Sequence, residues 1–496
     1  MRRRSARRQE SKAELTPPPL GGRLRPLSAE AADEIIACAY AILETIGLSG
    51  LPGDVSETLR GQGARQRDDG RLCFPPALVQ AALSRAPRAV RLPGFTDDAS
   101  LTIGGRRVHI GTGGAAVQVL DAETGAYRDS SLADLYDLMR VLDAAPNVHY
   151  GVRPLVARDL DDPFALDINT AFACLKATRK PIGVSFADPS HVAPVVELFD
   201  LALGGPGAFA ARPFCMAIIV HVVPPLRFAA EGVETLKAAI AAGMIPQICS
   251  AGQAGATSPV TLAGALAQGL AESLAGLVLV DAIQPGSPCI YAFMPFISDL
   301  RTGAMTGGSG EAAIASAAAA QLLAEIGLPS TVSAGMTDAK TEDAQAGYEK
   351  GYSIALTGQA GADMINLSVA MLGSILVASP EALVVDDDLC GAILRTIRGV
   401  EVSPAALDLA AIERVVTEAG HYLGEAETLA RMKTEYSYPS LADRQNLQDW
   451  IDGGRQTIWD KARGRVADIL AGPPPRHLSA EAEAAIRARF PIKLEA

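Results

Sequence analysis

The sequence is poor in the motifs that most often give a function away. Its seven cysteines are scattered, odd in number and never spaced as CxxC. That pattern supplies neither a disulfide framework nor a thiolate metal site, and it suits reduced core residues of a cytoplasmic protein. The six histidines form no HxH, HxxxH or HExxH, which leaves metal hydrolysis without its usual ligands. No GxSxG is present for a serine nucleophile. The glycine-rich "DLRTGAMTGGSGE" at Asp299–Glu311 lacks the GKS or GKT of a Walker loop, and "GTGGAA" at Gly111–Ala116 has the wrong spacing for GxGxxG. Positive charge is in deficit too: 44 Lys and Arg against 56 Asp and Glu give a net charge of −12. A nucleic-acid partner, which demands a basic face, is thereby disfavoured.

Long hydrophobic runs are nearly absent. The uncharged stretch Pro246–Ala271 has the length of a membrane span, but prolines, glycines and Ser, Thr and Gln interrupt it. A buried turn and helix is the expected reading. The start, "MRRRSARRQESK", carries six Arg or Lys and no apolar run follows it, so residues 1–27 read as a flexible basic tail and not as a secretory signal.

What the 496 residues do contain is a repeating grammar on a core-rich composition, 49% hydrophobic and 20% charged. Short apolar runs begin at His109 ("HIGTGGAAVQV"), Val148 ("VHYGVRPLV"), Pro181 ("PIGVSFA") and Cys215 ("CMAIIVHVV"). Four more begin at Ile245 ("IPQICSA"), Cys289 ("CIYAFMPF"), Ser330 ("STVSAGM") and Asp363 ("DMINLSVAML"). Between successive runs lie amphipathic helical segments, several closed by glycine, as in "EIGLPS" and "GQAGAD". Strand and helix alternating in this way predict parallel βαβ units, and eight of them predict a closed (β/α)8 TIM-type barrel over residues 109–401. A doubly wound open sheet is the alternative. Residues 28–108 read as a helical and hairpin extension, and 402–496 as a charged helical region holding both tryptophans, Trp450 and Trp459.

Active sites of such barrels lie where strands end and the following loops begin. Position therefore selects Arg153, Ser185, Phe186, Asp188, His221, Gln253, Phe293, Phe296, Asp338, Lys340, Asn366 and Ser368, with Tyr348 on the helix after strand seven. Each has a structural alternative. His221 is either a satisfied core histidine or a site residue; Arg153 either pairs with the acids of "RDLDD" or anchors a substrate. Phe293 is either barrel packing or part of a ligand cage. Thr337 or Asp338 is alternatively a helix cap, with Asp343 and Glu349 facing solvent. Lys340 raises the separate option of Schiff-base chemistry.

Five segments carry a wider resemblance: "GTGGAAVQVLDAETGAYRDSSLADL", "GATSPVTLAGALAQGLAESLAGLVL", "DLRTGAMTGGSGEAAIASAAAAQLL", "SAGMTDAKTEDAQAGYEKG" and "GHYLGEAETLARMKTEYSYPSLADR". In this order they resemble the trimethylamine:corrinoid methyltransferase family. The resemblance implies a TIM-type barrel that demethylates a methylamine, and a methyl acceptor, cob(I)alamin, held by a separate small corrinoid protein. Archaeal trimethylamine enzymes of the family carry pyrrolysine in or close to the segment matching Ser333–Lys340. Only ordinary residues stand there in this chain, so it is similar to the non-pyrrolysine branch acting on quaternary amines such as glycine betaine. "AETLARM" after "GHYLG" departs from relatives that carry an extra histidine. On this reading no cofactor is tightly bound. Asp338, Lys340 and His221 are the expected catalytic residues, and Arg153, Phe186, Gln253, Phe293, Tyr348 and Asn366 the expected substrate contacts. Aldolase-like chemistry through Lys340 and non-catalytic betaine binding stay as rivals.

Overall fold

In the computed structural model, which describes residues 18–495 apart from Ala419, eight parallel strands close into a barrel. They are β1 (His109–Thr112), β2 (Tyr150–Val152), β3 (Ile182–Val184) and β4 (Cys215–Val220), then β5 (Ile245–Ser250), β6 (Ile290–Phe293), β7 (Ser330–Ser333) and β8 (Met364–Asn366). Each pairs with its neighbour in chain order, and β8 returns to β1 through Met364↔His109 and Ile365↔Ile110. That closing pair excludes the open sheet. The basic tail expected at the amino terminus lies, for residues 1–17, outside the described residues.

The crossover helices are α1 (Leu132–Asp143), α2 (Pro163–Ala177), α3 (Val192–Leu203), α4 (Ala230–Ala241), α5 (Leu262–Ile283), α6 (Gly310–Ile326), α7 (Ala344–Ala360) and α8 (Pro380–Arg398). Their ends follow local chemistry. Ser131 and Asp134 form a capping box on α1. Gly327 and Gly361 take the left-handed conformation that stops α6 and α7.

Strand alternation sorts the side chains into two cores. Ile110, Val184, Ile248, Tyr291, Phe293, Val332 and Ile365 join the shell between strands and helices. Tyr150, Val152, Met216, Ile245, Ile290 and Met364 point into the barrel. A hairpin, Val90–Leu92 with Leu101–Ile103, adds Val90, Leu92 and Ile103 to that interior cluster and so plugs the amino-terminal end of the barrel. Only the opposite end is left for a site.

Among the described residues, α5 alone is long and apolar enough to cross a membrane, and 89% of its apolar window is buried within the protein. Strands β5 and β6 cover one side of it; helices Ala29–Ala41 and Pro76–Arg85 cover the other. Its continuous apolar surface is a consequence of having neighbours all round. After the barrel, helix Ile458–Ala471 packs on α8 and α1. Helix Ala480–Arg489 packs on α3, where Arg489 bonds Glu197 at 2.6 Å.

Candidate functional site

The inward side chains near the carboxyl ends of the strands form an uncharged mouth. Cys249, Ala292, Met294, Met336 and Leu367 cluster there, with Ala251, Phe296 and Ile375 packed against them. Just below lie Gln247, Thr331 and Ser333, fully buried, and both amide atoms of Gln247 and the hydroxyls of Thr331 and Ser333 find no hydrogen-bond partner. Asn366 also faces inward: its Oδ1 accepts from the Leu367 amide at 2.9 Å and fills the space a side chain at Gly113 would take. One side of the mouth is shut by this packing. The other side, along β3, β4 and β5, keeps partial exposure at Ser185, Ile218, Ala251, Gln253 and Phe296, and Val220 is 53% exposed.

Asp338 holds the rim together. It accepts from the Gly307 amide at 2.9 Å and from the hydroxyls of Thr306 and Ser374, so one carboxylate ties the loops after β6, β7 and β8. Partial burial raises its pKa, but the hydrogen bonds from Ser374, Thr306 and the Gly307 and Gly308 amides outweigh that and hold it below the ordinary carboxylate value. Glu349 supports the same loop, accepting from the Asp338 amide at 2.8 Å, from the Thr337 hydroxyl and from Gln345 Nε2 at 2.9 Å. The cap of α7 is Asp343, whose side chain accepts from Gln345 and Ala346. The alternative reading of this segment is thus corrected: Asp343 caps, and Glu349 is buried instead of solvated.

A second group sits on the shoulder beside β2 and β3. Arg153 directly follows β2, and its buried Nε has no hydrogen-bond partner. The acids of "RDLDD" do not pair with it; Arg158 of that run bonds Asp129 instead. Asp167, on α2, is buried and uses one oxygen for both His191 Nδ1 at 2.7 Å and the Ala187 amide at 2.8 Å. Desolvation raises the Asp167 pKa against those bonds and the nearby Arg153 charge. Phe186, next to Ala187, is partly buried against the outer core.

Other expected site residues lie elsewhere. His221 follows β4 but turns outward: it is fully buried against α5, with Nε2 on the Glu272 carbonyl at 3.0 Å and Nδ1 unpartnered. Burial pushes its pKa down to about 4, as for a neutral core histidine. Phe293 is corrected in the same way. Its neighbour Ala292 takes the inward position, and the Phe293 ring lies where a side chain at Gly269 of α5 would be. Lys340 is exposed and its Nζ donates to the Asp338 carbonyl, outside the mouth. Tyr348 is 58% exposed and stacks on Tyr352 at 6.4 Å. Tyr352 donates to the Gly308 carbonyl, so the tyrosine pair lies along the α6–α7 rim. Gln253 is held at the mouth by its backbone, which bonds Thr257, Ser258 and Ala256.

Position alone missed Gln247, Thr331, Ser333, Asp167, His191 and Glu349. For the first three a signal existed: Gln247, Thr331 and Ser333 are polar residues at alternating positions of short strands that also carry apolar residues such as Ile248 and Val332. For Asp167, His191 and Glu349, inside or at the edge of amphipathic helices, nothing local distinguished them from solvated residues.

Comparison with known proteins gives the chain its family. The family model described as trimethylamine methyltransferase (MTTB) matches residues 1–493. A glycine betaine methyltransferase of Desulfitobacterium hafniense is 28% identical over 90% of this chain and 92% of its own length. Trimethylamine methyltransferase MttB2 of Methanosarcina mazei is 30% identical over 90% of each chain. The solved monomethylamine methyltransferase (MtmB) of Methanosarcina barkeri aligns over 88% of this chain and 92% of its own, at 12% identity and a TM-score of 0.45. The chain belongs to the trimethylamine methyltransferase (MTTB) family, and it is a methyltransferase.

Proposed function

We propose that the protein moves a methyl group from a quaternary amine, of the glycine betaine kind, to cob(I)alamin carried by a separate small corrinoid protein. The observation that carries this reading is the lining of the open mouth. Ser185, Ile218, Val220, Ala251, Gln253 and Phe296 bring no ionisable group to it. A quaternary nitrogen needs none. When the cobalt nucleophile attacks the methyl carbon in line, the C–N bond breaks with its electron pair staying on nitrogen, and a neutral tertiary amine leaves without a proton. The two electrons of the new bond come from cobalt. A neutral secondary or tertiary amine would call for a proton donor at the same place, because its nitrogen would otherwise have to leave as an amide anion.

What the chain supplies is position and dryness. A rim tied by Asp338 and Glu349 fixes the loops that frame the opening. Holding two reactants in near-attack geometry is worth effective molarities of about 10⁵ M or more. The cationic end meets apolar and soft walls, Phe296 among them; a cation over an aromatic face gains about 0.5–2 kcal/mol. Lys340 does not reach this space, so Schiff-base chemistry has no support here.

The test mixes the purified chain with a cob(I)alamin-loaded corrinoid protein and, in turn, glycine betaine, carnitine, choline and trimethylamine, following the methylcobalamin spectrum. The expected result is methylation with at least one quaternary amine. No spectral change with any of them would overturn the reading.

A further inference from the structure

Arg153 is a physical anomaly. Its Nε is sealed from solvent without a hydrogen-bond partner, and among the described residues no carboxylate comes within ion-pair distance of the guanidinium. The side chain as a whole is only partly buried, and Nε is its one sealed nitrogen without an acceptor; a donor sealed from water in this way is costly unless a ligand completes its surroundings. Asp167 is near enough to act on Arg153 electrostatically, yet its engaged oxygen is committed to His191 and Ala187. Guanidinium and carboxylate are thus held apart on one shoulder. That shoulder stands at the carboxyl ends of β2 and β3: the Arg153 amide donates to the Gly183 carbonyl at 2.8 Å, two residues before the partly exposed Ser185.

We propose that Arg153 is the anchor for the carboxylate of a zwitterionic quaternary amine, with the Asp167–His191 pair fixing the loop beside it. The inference rests on the reading of the site as a quaternary-amine methyltransferase and names its substrate class. A guanidinium presents two parallel N–H donors that match a carboxylate. A betaine carries the anion that Arg153 lacks. An alcohol such as choline offers no anion and leaves the guanidinium without an anionic partner. Asp167 acts through His191 and the Ala187 amide, so it is a positioning residue.

Calorimetric titration of the full chain, without corrinoid, separates this from methyl transfer. Wild type is expected to bind glycine betaine at least about tenfold tighter than choline, a discrimination typical of a site built around one charged contact. Arg153→Met is expected to lose about tenfold or more on glycine betaine with choline little changed, and Arg153→Lys to recover part of the loss. A merely structural arginine predicts a different thermal signature. Removing a guanidinium that has no partner in the ligand-free protein leaves the melting temperature unchanged or raises it, whereas removing a structural one lowers it. Equal affinity for the two ligands, binding of neither, unchanged betaine affinity in Arg153→Met, or a lowered melting temperature in that variant would each overturn the proposal. Methyl transfer from choline by wild type and variant alike would leave the activity standing while the anchor fell. Arg153-dependent betaine binding with no methylcobalamin formed would do the reverse.

Discussion

Replacing His221 by Gln tests whether strand parity, and not position in the chain, decides what a residue at a barrel mouth does. The imidazole is fully buried, with only the Glu272 carbonyl as partner, and burial lowers its pKa from the ordinary 6.5 to about 4. Because the folded value lies below the unfolded one, the unfolded chain takes up the proton first as pH falls. The stability that His221 contributes is therefore fully present above about pH 6.5 and is lost as pH drops towards about 4. At about 1.4 kcal/mol for each pH unit between 6.5 and about 4, the contribution is on the order of 3 kcal/mol. The whole-protein curve does not display this alone, because burial pushes Asp363 and Asp387 up to about 6 and their contributions run in the opposite direction. The difference between wild type and His221→Gln isolates it. Urea unfolding from about pH 7.5 to about pH 3.5, extrapolated to water, gives that difference directly. It is expected to be constant above about pH 6.5, to fall by roughly 1.4 kcal/mol per pH unit down to about pH 4, and then to level off. A difference that stays flat through the window would refute the burial argument and return His221 to the list of solvent-facing site residues.

Three further outcomes follow from the packing. Phe293→Ala should destabilise the fold by about 3–5 kcal/mol in urea unfolding, because it empties the space between β6 and α5; a loss under about 1 kcal/mol would indicate a mouth-lining ring. Lys350, fully buried, bonds Asp386 at 2.8 Å across α7 and α8. Lys350→Met alone should cost about 3–5 kcal/mol and Lys350→Met with Asp386→Leu much less, and equal losses would show that the pair is not a unit. Asp338→Asn should lower stability by about 1–3 kcal/mol and depress turnover, because it weakens the tie among three rim loops. Since the folded Asp338 pKa is depressed, its contribution is present above the unfolded value of about 3.8 and fades below it; wild-type turnover in Asp338→Asn would remove the rim argument.

The sequence by itself determined the barrel. Eight apolar runs, each followed by a helical stretch with its own caps, leave a parallel closed sheet as the economical way to bury both faces, and each run became a strand. It also determined which loops could carry a site, because chain direction fixes the end at which strands finish. Tertiary structure decided which side chain enters the mouth. Phe293 and Ala292 differ by one position, and so do His221 and the exposed Val220; a one-residue change of parity sends a side chain to the opposite face of the sheet. In short strands flanked by loops, register is set by pairing with both neighbours and by closure of the ring, which no local pattern records. The same holds for charge. Nothing near Arg153 in sequence shows that the acids of "RDLDD" bond elsewhere, or that Asp167, fourteen positions on, faces it from α2. Composition makes a charge available, and only the packed fold leaves it without a partner.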